Sequence, residues 1–191
     1  LLLLWRLYRE KKKAAEKFEY LSNIDPLTRL MNRRAILERL AEQRAIFLRQ
    51  NTPFNIVLAD IDHFKKSTDE YGHDAGDMVL KQVSTLLRES LRVQDIVGRW
   101  GGEEFLICLP SVTVEQAHLV IDKLRETISD CKLNWENRKI SVTMSFGVCP
   151  FMGHREIDSC ISHADSALYT AKEKGRNRVV AVDKKDFSEA I

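Results

Sequence analysis

From Arg33 to Gln50 apolar residues recur at helical spacing (Ile36, Leu37, Leu40, Ile46, Phe47), which predicts a helix ending near Asn51-Thr52-Pro53. The next run, FNIVLADID, is short and apolar throughout until its acids, the pattern of a buried strand with carboxylates at its C-terminal end. HFKKSTDEYGHDAGD is polar and punctuated by glycine, and leads into a helix expected from about Asp77 to Arg92. DIVGRW and EFLICLP read as two strands of a hairpin, turning at Gly101-Gly102, where glycine tolerates positive φ. TVEQAHLVIDKLRETISDC then reads as a helix, KISVTMSFGVCPF as a strand, IDSCISHADSALYTAKEKG as a helix and RVVAVD as a closing strand. Upstream, Pro26 interrupts NIDPLTRLMNRR, and Asp25 is suited to a turn or cap. Before it, Leu4, Leu7, Lys11, Ala14, Phe18 and Leu21 follow steps of three and four, a short heptad seam weakened by its lysine.

Strands and helices alternate, but a tight hairpin joins two of the strands, so the sheet cannot be purely parallel. The expected fold is α+β: a ferredoxin-like palm whose mixed, mostly antiparallel sheet is flanked by helices, preceded by a coiled-coil-like helix. Its predicted organisation is a stalk over residues 1–22, a globular domain over 23–185 and a tail over 186–191. In such a palm the end of the first strand lies beside the hairpin turn, bringing Asp60 and Asp62 close to Glu103 and Glu104.

Composition changes this picture little. With 191 residues, 44% hydrophobic and 30% charged, the chain has enough apolar residues for a real core. A net charge of +2 gives no argument for nucleic-acid binding. Cys108, Cys131, Cys149 and Cys160 are widely spaced without a CxxC pair, and read as free thiols in a reducing, cytoplasmic compartment rather than disulfides or a zinc site. The chain opens LLLLWRLYREKKK without a methionine, so a piece of a longer protein is expected. Four leucines are too few to span a bilayer, which takes about 20 apolar residues. Two readings of this start stand equally: the aromatic and basic inner flank of a membrane helix, which would tether the domain to the inner face of the membrane, or an amphipathic helix.

The chemistry concentrates in RWGGEEFLICLP, where Glu103 and Glu104 stand at the mouth of a buried strand. Alone, that segment is better read as a solvated hairpin with ordinary surface acids. Carboxylates crowded at strand ends repel one another unless a cation gathers them, and Mg²⁺ takes one or two carboxylates plus substrate phosphates. Asp60 and Glu103 are the preferred pair. Just beyond Asp62, the backbone amides of His63, Phe64 and Lys65 at a helix start can cradle phosphate, with the Lys65 charge added.

RWGGEEF resembles the signature of the GGDEF family of diguanylate cyclases in its GGEEF form. DPLTRLMNRR resembles that family's opening motif, DIDHFKKSTDEYGHDAGD its metal and nucleotide segment, and ALYTAKEKGRNRV its closing segment, in the same order. Together they cover roughly Asp25 to Asp183, and four ordered motifs are far more specific than any one.

The resemblance implies condensation of two GTP into cyclic di-GMP with release of two pyrophosphates, in a homodimer whose two sites face each other. It implies Mg²⁺ or Mn²⁺, two ions per site, on Asp60, Glu103 and the Ile61 carbonyl, with Glu104 taking the second ion or the ribose 3′-hydroxyl proton. Lys65, Lys172 and Arg176 would hold the triphosphate, Lys65 also stabilising the transition state, while Gly101 and Gly102 admit the α-phosphate. Asp77 would read guanine, Leu80 would pack on the base and His73 belongs to the same motif. Thr68 departs from the family, which usually has asparagine there; losing one neutral hydrogen bond costs about 0.5–1.5 kcal/mol, so weaker GTP binding is expected. Arg92 and Asp95, with five residues between Asp95 and Gly101, match the family's inhibitory RxxD site for cyclic di-GMP, which Lys123 or Arg125 of a neighbouring chain would complete. Two other readings compete: a silent receptor for cyclic di-GMP or GTP, and a dimerisation module.

Overall fold

The computed structural model describes residues 23–153 and 155–182 together with Trp5, Arg6, Arg9, Lys11 and Lys12. The heptad positions Leu4, Leu7, Ala14, Phe18 and Leu21 and the tail 186–191 lie outside the described residues. The elements are α1 (Arg33–Gln50), β1 (Phe54–Ile61), α2 (Phe64–Tyr71), α3 (His73–Ser90), β2 (Ile96–Gly101), β3 (Glu104–Pro110), α4 (Val114–Asp130), β4 (Leu133–Trp135), β5 (Arg138–Ile140), β6 (Met144–Pro150), α5 (Ile157–Glu173) and β7 (Val179–Ala181).

Five strands form one sheet in the order β2-β3-β1-β6-β7, and β4 pairs with β5 in a separate ribbon. Within the main sheet only β6 and β7 run parallel, joined by the α5 crossover; the other pairs are antiparallel. All eight β1 residues are buried, because β1 is central and both of its faces are covered by helices. One face buries Val57, Ala59, Phe105, Ile107 and Phe146 beneath Val79, Val83 and Leu87 of α3 and Ile121, Leu124 and Ile128 of α4. The other buries Ile56, Leu58, Leu106 and Cys149 against Ile36 and Leu40 of α1 and Ile161, Ala164 and Leu168 of α5. Helix α5 lies so close to β6 that a Cβ on Gly147 would sit 2.0 Å from the Ala164 carbonyl oxygen. That contact fixes the depth of α5 and so the height of the residues it carries over β1.

The α+β palm is as expected, with three corrections of detail. The polar segment after Asp62 contains a helix, α2, and α3 begins at His73 rather than Asp77. Gly72, at φ 88°, separates the two. Gly76 sits inside α3 because α2 packs on it: an added Cβ would fall 2.5 Å from Thr68 Cγ2. The stretch KISVTMSFGVCPF is not one strand either, since its start belongs to β5 and only Met144–Pro150 joins the main sheet. Among the described residues no helix is long and apolar enough to cross a membrane.

Candidate active site

Antiparallel pairing of β1 with β3 sets Asp60 directly opposite Glu104, and pairing with β6 sets it opposite Ser145. Gly101 pairs with Glu104, leaving Gly102-Glu103 as a two-residue connection. Only Gly102 needs the left-handed region, at φ 51°; Gly101 does not. Space beside both glycines is open, with no atom within 4 Å of an added Cβ, so the turn offers bare backbone to an approaching group. The Glu103 carbonyl accepts from the Ile61 amide at 3.3 Å, tying the turn to the end of β1.

Asp60 is only 7% exposed. Burial raises its pKa, as do the nearby Glu103 and Asp62 charges, while Lys172 opposes the rise through an ion pair at 2.9 Å. Glu104 is raised as well, by burial first and then by Asp60, with Asp165 and Glu103 adding to the effect. This corner of the molecule therefore holds more negative charge than the single Lys172 ammonium offsets. All the donors are oxygen, the chemistry of a hard divalent cation. No cluster of three or more His, Cys, Asp or Glu side chains suited to a metal ion occurs among the described residues. Asp60 paired with Glu104 beside the open glycine turn suits an ion that takes one or two carboxylates and draws its other ligands from phosphate and water.

Asp62, expected in the same crowd, has another task. Its carboxylate accepts from Thr143 Oγ1 at 2.7 Å, Ser145 Oγ at 2.7 Å and the Asn177 amide at 3.0 Å. The Asn177 bond holds the turn after α5 against the end of β1, and the two hydroxyls tie Asp62 to the start of β6. That turn is tight, with Gly175, Arg176 and Asn177 all at positive φ, and it fixes the backbone position of Arg176.

Helix α2 starts two residues after Asp62. Its N-cap is His63, at φ 56° with no side-chain cap, so the first turn of Phe64 and Lys65 receives no side-chain oxygen. Lys65 and His63 are exposed. Thr68 donates its hydroxyl to the Lys65 carbonyl at 2.8 Å and turns its methyl toward Gly76, next to Asp77. His73 and Asp77 lie one turn apart on α3 and are exposed. Leu80, one turn further along α3, is 3% exposed and joins the core beneath this surface.

Arg92 and Asp95 lie apart from these residues, in the turn before β2. The Arg92 amide donates to Asp95 Oδ2 at 2.8 Å, and the Asp95 amide donates to the Arg92 carbonyl at 3.0 Å. The two side chains border a hollow of about 480 Å³ shared with Lys123 and Leu119 of α4. Arg125 is not part of it: its guanidinium donates to Asp122 at 2.7 Å and to Asn177 at 3.1 Å.

The residue that sequence reasoning missed is Arg99. Its Nε and Nη2 donate to the Gly102 carbonyl at 3.0 and 2.9 Å, and its Nη1 reaches both Asp25 carboxylate oxygens at 3.2 and 3.3 Å. Asp25 in turn accepts from the Thr28 amide at 2.8 Å and the Thr28 hydroxyl at 2.7 Å. One guanidinium thus clips the turn that opens the domain to the turn that carries Glu103. The signal was present in the sequence as an arginine just before the glycine pair and an Asp-x-x-Thr capping pattern, but nothing in the sequence joins residues 74 positions apart.

The family model described as "Diguanylate cyclase, GGDEF domain" matches residues 22–178. Diguanylate cyclase DgcP of Pseudomonas aeruginosa is 40% identical over 155 residues, 81% of this chain and 23% of that protein. The chain therefore spans less than a quarter of that relative's length. Among solved structures, the coiled coil and GGDEF domain of DgcB from Caulobacter crescentus, in complex with c-di-GMP, superposes with a TM-score of 0.86 at 27% identity, covering 95% of this chain and all of that one. Diguanylate cyclase SiaD of Pseudomonas aeruginosa, in complex with its activator SiaC, gives a TM-score of 0.84 at 33% identity, covering 94% of this chain and 69% of that one.

Proposed function

This chain belongs to the GGDEF family of diguanylate cyclase domains, and on that premise we propose that it condenses two GTP into cyclic di-GMP, releasing two pyrophosphates. The observation that carries the reading is the Asp60–Glu104 pair, held face to face across two strands with Glu103 at the adjoining turn. Asp60, Glu103 and the Ile61 carbonyl would hold Mg²⁺ or Mn²⁺, two ions per site. Such an ion, when bound, would offset charge on the attacking 3′-oxygen and the pyrophosphate leaving group. Lys172, drawn onto Asp60 without ligand, is freed for the triphosphate once positive charge arrives from elsewhere. Lys65 and the uncapped start of α2 take phosphate oxygens through an ammonium and backbone amides, and Arg176 adds a guanidinium from the turn after α5. Bare backbone at Gly101 and Gly102 lets the α-phosphate approach. Glu104 serves a second ion or accepts the 3′-hydroxyl proton.

Asp77 accepts from guanine N1–H and the exocyclic amine, and rejects adenine, whose N1 is itself an acceptor. Thr68 is a poor partner for guanine because its one proton is already given to the Lys65 carbonyl. His73 borders the same surface. Because each domain holds one GTP, reaction requires two chains face to face, and rate follows dimer geometry. Cyclic di-GMP binds at Arg92 and Asp95, with guanine O6 and N7 taken by the arginine, and a neighbouring chain completes the site with its Lys123 rather than its Arg125, whose guanidinium is already held by Asp122 and Asn177. The Thr68 bond also favours one second reading, a weakly active domain serving chiefly as a cyclic di-GMP receptor. Membrane attachment through a preceding segment remains part of the proposal for the longer protein.

Glu103→Gln tests the reading. It removes one charge from the turn with little change of shape, so synthesis should vanish while the circular dichroism spectrum and cyclic di-GMP binding persist. Turnover equal to wild type would remove Glu103 from the mechanism.

A further inference from the structure

The Sγ atoms of Cys149 and Cys160 lie 3.1 Å apart, which is inside ordinary contact between two sulfur atoms. Cys149 is on β6 and Cys160 in the first turn of α5, so the pair bridges the sheet and the helix that carries Lys172. Neither thiol has a part in the chemistry described above. Both are buried, at 0% and 1% exposure, beside Ile161 and Ala164. Cys108 lies on the same face of the sheet, but β1 stands between it and Cys149 because both pair with Ile56, so Cys149 has one near partner. Cys131 is the only thiol of the four that is not fully buried.

We propose that Cys149 and Cys160 are a disulfide-competent pair, a modification site at which a peroxide closes a covalent lock between β6 and the first turn of α5. A disulfide needs its sulfurs about 2.05 Å apart, so closure asks for a movement of roughly 1 Å, within reach of a helix N-terminus. The thiolate of one cysteine attacks a peroxide oxygen, giving a sulfenic acid and releasing water as the second oxygen takes a proton. The other sulfur then attacks the sulfenic sulfur and expels a second water. In sum two thiols and hydrogen peroxide give one disulfide and two waters, the thiols being oxidised and the peroxide reduced. The hydrogen bond with Cys149, and then burial, hold the Cys160 thiol far above its ordinary pKa, so attack is slow while α5 is seated and quickens when its first turn opens.

The test uses the whole chain. Reduced protein is exposed to hydrogen peroxide, blocked with iodoacetamide in denaturant and digested with trypsin. Cleavage at Lys139, Arg155 and Lys172 puts the two cysteines on separate peptides, 140–155 and 156–172. The expected product is those peptides linked, at 2 Da below their summed mass, with two of the four thiols lost. A higher Tm should accompany it, and Cys160→Ser should show neither change. Sulfinic acid on Cys149 or Cys160, chains joined through Cys131, or four thiols still free after prolonged exposure would each overturn the proposal. The peptide map of the unmutated protein decides the matter even if Cys160→Ser does not fold.

Discussion

Asp25→Asn isolates the clip between the two turns. The substitution keeps the shape of the side chain and one acceptor oxygen, so Thr28 can still bond to it, but it removes the charge facing Arg99. Both partners are largely buried, with side chains 18% and 19% exposed, so solvent screens the pair less than a surface ion pair. A hydrogen bond to a charged group is worth about 1.5–3 kcal/mol, and 1 kcal/mol moves the Tm of a domain this size by about 2–4 °C. The expected loss is therefore about 3–12 °C at neutral pH. Burial by itself would push the Asp25 pKa up, but the Thr28 bonds and the Arg99 charge together hold it below its ordinary value of 3.8. A carboxyl depressed in the folded state contributes its stability fully above the unfolded value, and that contribution is lost as pH falls through the folded one. The Tm gap between wild type and Asp25→Asn should thus be constant from pH 7 to about 5 and shrink below about 4. Differential scanning calorimetry across that range reads it directly. A gap that is absent at pH 7, or that widens as pH falls, would refute the reasoning. Because Arg99 also holds Gly102, the variant should lose kcat for cyclic di-GMP synthesis more than it raises KM for GTP.

Thr68→Asn should lower the KM for GTP by up to about tenfold, the worth of one neutral hydrogen bond; steady-state kinetics showing KM unchanged or raised would mean that the Thr68–Lys65 bond already serves the native site. Arg92→Ala should straighten a progress curve that bends in wild type as product accumulates, measured at equal protein concentration. Curves that bend equally would make Arg92 an ordinary turn residue.

The central strand was legible because FNIVLADI is apolar without alternation, which only a doubly covered strand requires. The meeting of Asp60 with the glutamates was legible too, since a hairpin beside the first strand leaves few other arrangements. Helix α2 was not: none of its eight residues is buried, so it lacks the apolar rhythm that announces a helix and is held instead by its seat on Gly76. The β4–β5 ribbon escaped notice because each strand has three residues and buries one, Leu133 or Ile140. Asp60 and Asp62 are the same residue type two positions apart, and only tertiary partners separate their roles. Thr143, Ser145 and Asn177 claim Asp62, whereas Asp60 meets Lys172.

The central claim is that this corner of carboxylates joins two GTP. The most direct measurement is to incubate the purified chain with GTP and Mg²⁺ and separate the nucleotides by chromatography, with pyrophosphate assayed in the same samples. Cyclic di-GMP should appear with two pyrophosphates for each molecule formed, and neither should appear when the divalent ion is chelated. GTP left intact at protein concentrations that drive dimerisation, or pyrophosphate released without cyclic di-GMP, would contradict it.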